Sequence, residues 1–241
     1  MKSYDEIVTG KLFSYTVLNP DYTEELEGLQ ELIAYAAKVS NPSSFKQADM
    51  EHADKLINYL MDNAHWSPLE MADVTIEFKT TRDISHQIVR HRSFSFQEFS
   101  QRYAEALTND DQAIEFVYSE ARLQDEKNRQ SSTELDLSNT SQAALQCWWD
   151  EQQEAVANLS KVVYQEAIAK GLAKEIARKV LPEGLTTTRG FMKGSLRSWL
   201  HYIELRSANG TQKEHMMLAL LMSEAIQKVF PMMKGYTNVI S

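Results

Sequence analysis

At 241 residues, with 43% hydrophobic and 24% charged side chains, the chain can bury a substantial core and has an ordinary globular composition. A formal net charge of -9 argues against a general nucleic-acid binder, which is normally basic, yet leaves room for a local cationic pocket. The single cysteine, Cys147, excludes an intrachain disulfide and a multi-cysteine metal site. With no apolar leader and no run near the roughly 18 to 20 apolar residues of a membrane span, a cytoplasmic protein without a membrane partner is expected.

Residues 7–18 alternate loosely through Ile7, Leu12, Phe13, Tyr15 and Val17, predicting one or two strands before an Asn19-Pro20 turn. From Thr23 the pattern turns helical, with Leu26, Leu29, Leu32, Ile33 and Ala36 at intervals of three and four and Glu24 and Glu25 near the start. Asn41-Pro42 is its stop signal. A second amphipathic helix is predicted over about 49–63, with Ala53, Leu56, Ile57 and Leu60 on one stripe. His65-Trp66-Ser67-Pro68-Leu69-Glu70-Met71 then forms a turn before a strand in which Val74, Ile76 and Phe78 alternate. Residues 82–91 read as a helix with Ile84, Ile88 and His91 on one stripe and Gln87 adjoining Arg90. It delivers Arg90-His91-Arg92 to its C-terminal end, where the macrodipole favours cations.

The stretch from Arg90 to Tyr103 carries the clearest chemistry. If Glu98 to Arg102 is extended, Glu98, Ser100 and Arg102 share one face, about 7 Å apart in steps of two residues. An arginine grips phosphate through two donors, and a carboxylate accepts from ring N–H groups or sugar hydroxyls. The array therefore suits a nucleoside monophosphate, and the basic triplet adds positive potential for a second phosphorylated ligand.

Residues 105–140 are polar and read as loops around a short apolar segment, Ile114, Phe116, Val117 and Tyr118, a mobile or variable insertion. A long helix over about 141–169 is predicted to bury Leu145, Trp149, Val156, Leu159 and Val163, and Cys147 within it is a packing residue beside Trp148 and Trp149. After Gly171 a shorter helix runs to Leu181, with Leu172, Ile176 and Val180 as its buried stripe and Arg178 off it. A strand over Thr186 to Met192 leads to a helix capped by Ser195, with Leu196, Trp199, Leu200 and Ile203 apolar. Arg197 and His201 lie together on a second face, while Arg206 is about half a turn out of phase with Arg197. A final helix opens in residues 209–215 and ends near 229, with His215 as a surface or capping residue.

Arg90-His91-Arg92, seven residues, then Ser100 resembles the signature of the flavin-dependent thymidylate synthases. His65-x-Ser67-Pro68-x-Glu70 resembles the family's flavin-contacting motif, with Met71 where a second histidine is common. Ala177-Arg178-Lys179-Val180-Leu181-Pro182 resembles an element whose arginine contacts the nucleotide, and the Gly194–Arg206 helix resembles one that serves flavin and nucleotide. These blocks keep family order across about residues 30–220. Gln97 stands where Asn is frequent, Lys38 where Arg is common, and His201 where some members have Asn; Lys38 loses the bidentate fork.

The resemblance implies reductive methylation of dUMP to dTMP, with FAD as cofactor and NADPH and methylenetetrahydrofolate as co-substrates. It assigns Arg206, Glu98 and Ser100 to catalysis, and Gln87, Arg90, Glu98, Ser100, Arg102, Arg178 and Arg206 to dUMP. FAD falls to Ser40, His65, Ser67, Glu70, Arg90, His91, Arg92, Arg197 and His201, and the folate or NADPH to His65, Arg92 and Tyr103. With the predicted elements it implies one α+β domain over 1–241: a central, mostly antiparallel sheet with flanking helices, a helical C-terminal half, and active sites between subunits of a homotetramer. No GxGxxG fingerprint marks a separate Rossmann domain.

Two other classes compete. A metal hydrolase using His65, His86 and His91 suffers from the poor five-residue spacing of the last two and the lack of HExxH, so no metal is expected. A nucleotide- or RNA-binding module would explain the arginines without flavin but lacks a basic overall charge.

Overall fold

The computed structural model describes residues 1–19, 21, 26, 28–40, 52–103, 106–107 and 114–236. The N-terminal part runs β1 (Lys2–Ser3), α1 (Tyr4–Ile7), β2 (Thr9–Tyr15), α2 (Leu29–Lys38), α3 (Ala53–Asp62), β3 (Asp73–Thr81), α4 (Arg82–Ile88) and β4 (Ser95–Glu98). Short strands β5 (Val117–Tyr118), β6 (Arg122–Gln124) and β7 (Ser132–Glu134) precede the long helix α5 (Thr140–Ala169). Then come α6 (Lys174–Ala177), β8 (Thr187–Ser195), α7 (Leu196–Arg206) and α8 (Lys213–Gln227).

The main sheet has the order β2-β3-β8-β4, and every neighbouring pair is antiparallel, as the sequence led us to expect. Its spine is β3 against β8, in unbroken register from Asp73↔Ser195 to Thr81↔Thr187. Val74, Ile76, Phe78 and Thr80 are buried, and so are their partners Gly194, Met192, Gly190 and Thr188, because directly opposed residues share a face. Helices α7 and α8 cover that face. Two glycines permit the close packing: a Cβ on Gly10 would stand 3.0 Å from the Met222 backbone nitrogen, and one on Gly194 would stand 2.5 Å from the Phe94 ring. The opposite face carries charge pairs, Lys193 with Asp73 at 2.9 Å and Arg189 with Glu77, and a Phe13–Phe191 ring contact at 4.7 Å. The core joins this sheet to Ile33 of α2, Ile57 of α3 and Trp199 and Tyr202 of α7.

Several expectations change. Ile7, where a strand was predicted to begin, instead ends helix α1, and the strand starts at Thr9. The stretch read as loops holds β5, paired in parallel with β1, and the β6–β7 hairpin. Helix α5 buries Gln153, Ala157, Ser160 and Tyr164, whereas Leu145, Val156, Leu159 and Val163 are exposed and Trp149 is half-buried. Hydrogen bonding explains the reversal. The irregular backbone beneath the helix needs partners: Gln153 accepts from Ser119 N at 2.7 Å and donates to its carbonyl at 3.0 Å, while the Tyr164 hydroxyl accepts from Ala106 N at 2.8 Å. Cys147 is exposed on this helix instead of packed.

The next stripe is reversed too. Helix α6 stops at Ala177 and a single 3-10 turn covers Arg178–Val180, so Ala177 and Leu181 face inward and Leu172, Ile176 and Val180 outward. Buried Ala177 and Leu181 join Ala106, Ile114 and Tyr164 in a small second cluster. The expected helix start at Thr23, the stop at Asn41-Pro42, the Pro20 half of the first turn and residues 49–51 of the second helix lie outside the described residues.

Candidate active site

Helix α7 organises two groups of the expected residues. Ser195 caps it, its hydroxyl accepting from Ser198 N, and Leu196, Trp199, Leu200 and Ile203 are buried as predicted. Trp199 donates its indole N–H to the Val74 carbonyl at 3.0 Å, pinning the helix to the sheet. Arg197 and His201 emerge on one side, where Arg197 pairs with Glu70 at 2.8 Å and the His201 ring meets Trp66 edge-on at 4.7 Å. Glu70 belongs to a 3-10 turn, Ser67–Met71, with Pro68 in its first turn and exposed His65 two residues before it.

Arg206 points the other way, as its phase requires, and its Nε donates to His91 Nε2 at 3.0 Å. The basic triplet is not on the helical stripe. Helix α4 ends at Ile88, His91 N donates to the Ile88 carbonyl at 3.0 Å, and the chain turns, leaving Arg90 and Arg92 exposed and His91 half-buried against Tyr202 at 4.9 Å. Burial, then Arg206 and Arg90, push the His91 pKa down to about 4, so the triplet is two cations flanking a neutral imidazole. Since Nε2 accepts, the ring proton sits on Nδ1. The bond through Nε leaves both Nη groups of Arg206 without a hydrogen-bond partner among the described residues.

Behind this pair lies a polar chain that sequence reasoning missed. The Tyr202 hydroxyl bonds His215 Nε2 at 3.0 Å, His215 Nδ1 bonds Gln87 Oε1 at 3.2 Å, and Gln87 Nε2 donates to Gln212 Oε1 at 2.7 Å. His215 is fully buried, not a surface residue; burial, then Arg206, His91 and Arg90, hold its pKa down to about 3. A signal was present: His215, Leu218, Ala219, Met222 and Ile226 follow helical spacing on the buried stripe of α8.

The nucleotide array differs from a flat extended face. Strand β4 ends at Glu98, and Phe99 N donates to the Arg189 carbonyl at 2.8 Å before the chain turns through Gln101–Tyr103. Glu98 Oε1 takes both of its bonds, from Thr188 Oγ1 at 2.8 Å and Arg82 Nη1 at 3.4 Å, leaving Oε2 without a partner among the described residues. Arg82 and Thr188 were not foreseen. Ser100 Oγ accepts from Arg102 N at 3.4 Å, and the exposed Arg102 guanidinium lies 3.5 Å from Glu175; Arg178 is half-buried. Tyr103 is exposed, and its carbonyl accepts from Lys174. Ser40, exposed after α2, donates to the Ala37 carbonyl at 2.8 Å.

The three histidines considered for a metal have separate surroundings: His65 lies 6.2 Å edge-on from Tyr59, His86 3.3 Å from Glu183, and His91 on Arg206. Among the described residues no helix is long and apolar enough to cross a membrane.

In architecture the chain is similar to a crystal structure of the UMP/dUMP methylase PolB from Streptomyces cacaoi bound with 5-Br dUMP. The TM-score is 0.73 at 23% identity, covering 95% of this chain and 93% of that one, a likeness of fold. Residues 12–232 match the family model described as thymidylate synthase complementing protein. A probable flavin-dependent thymidylate synthase of Paramecium bursaria Chlorella virus 1 is 43% identical over 224 residues, 93% of this chain and 96% of that protein. The flavin-dependent thymidylate synthase of Synechocystis sp. is 46% identical over 200 residues, 83% of this chain and 85% of that one. The chain belongs to the flavin-dependent thymidylate synthase family of enzymes.

Proposed function

We propose that the enzyme converts dUMP to dTMP by reductive methylation, using FAD as cofactor, methylenetetrahydrofolate as carbon donor and NADPH as reductant, in the thymidylate biosynthesis of the cytoplasm. The observation that carries this reading is Arg206, held through Nε by neutral His91 with its Nη fork unpartnered among the described residues, in a chain whose motif blocks follow the family order. That fork is suited to the uracil carbonyl, favouring negative charge there as C5 becomes nucleophilic. Glu98, anchored through Oε1, offers Oε2 to the ring N–H. Ser100, Arg102 and Arg178, with Gln87 and Arg90, hold the phosphate end. Glu98 and Ser100 contact substrate beside Arg206 as the catalytic set.

The donor set suits FAD. Exposed Arg90, Arg92 and Arg197 match a pyrophosphate, while Ser40, Ser67, His65, His91 and His201 supply hydroxyls and rings. The Arg197–Glu70 pair is solvent-exposed on both sides and weak enough to exchange for phosphate. When bound, the flavin supplies hydride transfer, a chemistry no side chain here provides. Arg92, His65 and exposed Tyr103 are the residues for folate or NADPH.

The outward apolar face of α5, with Leu172, Ile176 and Val180, supports assembly of this single domain into a homotetramer whose sites lie between subunits. The deciding assay is dTMP formation from dUMP with methylenetetrahydrofolate, NADPH and FAD; no product from flavin-loaded protein refutes the reading. Exposed Cys147 takes no part in it, so Cys147→Ser with normal FAD content is expected to retain turnover within about twofold, and complete loss would point to a cysteine mechanism.

A further inference from the structure

The chain of bonds behind His91 has a direction, and its buried end sets it. Tyr202 is 1% exposed and its hydroxyl finds one hydrogen-bond partner among the described residues, His215 Nε2 at 3.0 Å. If that hydroxyl accepted from an Nε2–H, its own hydrogen would be buried without an acceptor, the expensive outcome for a polar group. Satisfying every group requires the Tyr202 O–H to donate to Nε2. The His215 proton then sits on Nδ1 and is given to Gln87 Oε1 at 3.2 Å. With Oε1 turned inward, the Gln87 amide nitrogen faces outward and donates one hydrogen to Gln212 Oε1 at 2.7 Å. Gln212 therefore also keeps its nitrogen outward. Both amides end as donors, on the flank of the His91–Arg206 pair, since His91 and His215 are 6.4 Å apart.

We propose that Tyr202 and His215 are positioning residues that fix which end of the Gln87 amide faces outward, so that Gln87 and Gln212 together present N–H donors to the acceptor oxygens of the nucleotide. The substrate half rests on the reading of Gln87 as a dUMP contact. An amide has nearly the same shape either way round, so packing alone cannot choose its orientation; a buried one-way hydrogen bond can.

The lock is tested without ligand by solid-state nitrogen NMR of histidine-labelled protein. His215 is expected neutral with its proton on Nδ1; a proton on Nε2 overturns the proposal. The substrate half is tested by dUMP titration of FAD-loaded variants. His215→Leu and Tyr202→Phe are each expected to weaken dUMP binding about three- to tenfold and to raise KM while kcat stays within about twofold. His215→Asn, which keeps a donor near the Nδ1 position, should recover most of that affinity. In a Gln87→Ala background, His215→Leu should have no further effect, which a general loss of packing would not reproduce. Additive losses, no recovery with Asn, or unchanged dUMP affinity in Gln87→Ala each overturn the positioning role. Wild-type protein that binds FAD but no dUMP refutes the functional reading and the substrate half with it, while the tautomer still decides the lock.

Discussion

At the scale of single residues, the site separates charge from burial. His91 and His215 sit within reach of Arg206 and Arg90, so protonating either would add a cation to a crowded, partly desolvated place. Their folded pKa values, about 4 and about 3, lie below the roughly 6.5 of an unfolded histidine. The unfolded chain therefore binds more protons below about pH 6.5, and stability falls as pH falls from there toward 4, with little histidine contribution above it. Each ring supplies at most about 1.4 kcal/mol per pH unit, less for half-buried His91. Urea midpoints should drop between pH 6.5 and 5, above the range where the carboxylates titrate; a flat midpoint there would show the imidazoles to be solvated. Arg102 has the opposite character. Its pair with Glu175 is exposed and loose, which leaves the guanidinium available to phosphate. Arg102→Ala should weaken dUMP binding more than tenfold, from the loss of charge-assisted bonds of about 1.5–3 kcal/mol each, with FAD affinity within about twofold. Titrations showing equal losses for both ligands would assign Arg102 elsewhere.

At the scale of elements, helix ends aim the side chains. The exit from α3 is a Schellman motif: Ala64 N bonds the Met61 carbonyl at 3.1 Å and His65 N the Leu60 carbonyl at 2.7 Å. Ala64 takes the left-handed position, φ 56°, that glycine usually fills, and this turn leads into His65, proposed above as a flavin contact. For an alanine that conformation is unfavourable by about 1–2 kcal/mol. Ala64→Gly should therefore raise stability by about 0.5–1 kcal/mol in urea unfolding, after allowing for the more flexible unfolded chain. A loss of stability would show that the methyl group makes compensating contacts. Helix α7 works through phase instead: its buried stripe fixes rotation, which sends Arg197 and His201 to Glu70 and Trp66 and Arg206 to His91.

At the scale of the whole molecule, α5 is the unfinished surface. It buries a partly polar face against the body and leaves an apolar one to solvent, with Leu159 66% exposed. A single subunit gains nothing from that arrangement, whereas a neighbour covering the stripe removes its apolar area from water. Leu159→Glu should convert the proposed homotetramer to smaller species by light scattering and reduce FAD retention while leaving the subunit folded by circular dichroism. A variant that keeps both mass and flavin would place the interface elsewhere.

The order of residues alone specified strands β2, β3 and β8 of the main sheet, the cap and buried stripe of α7, the opposite facing of Arg197 and Arg206, and the motif residues. Each of these follows from local periodicity or short-range chemistry, which the order of residues already contains. Tertiary structure alone decided which stripe of α5 and α6 turns inward. There a hydrogen-bonding face outcompeted an apolar one, because the backbone groups of Ala106 and Ser119 needed partners that are remote in the chain. It also decided that the chain turns after Glu98, that Arg82 and Thr188 anchor that carboxylate, and that His215 is buried against Tyr202 and Gln87. Protonation states belong to this second class as well. The neutral forms of His91 and His215 depend on desolvation and on arginines brought near by folding, and no local pattern in the chain encodes them.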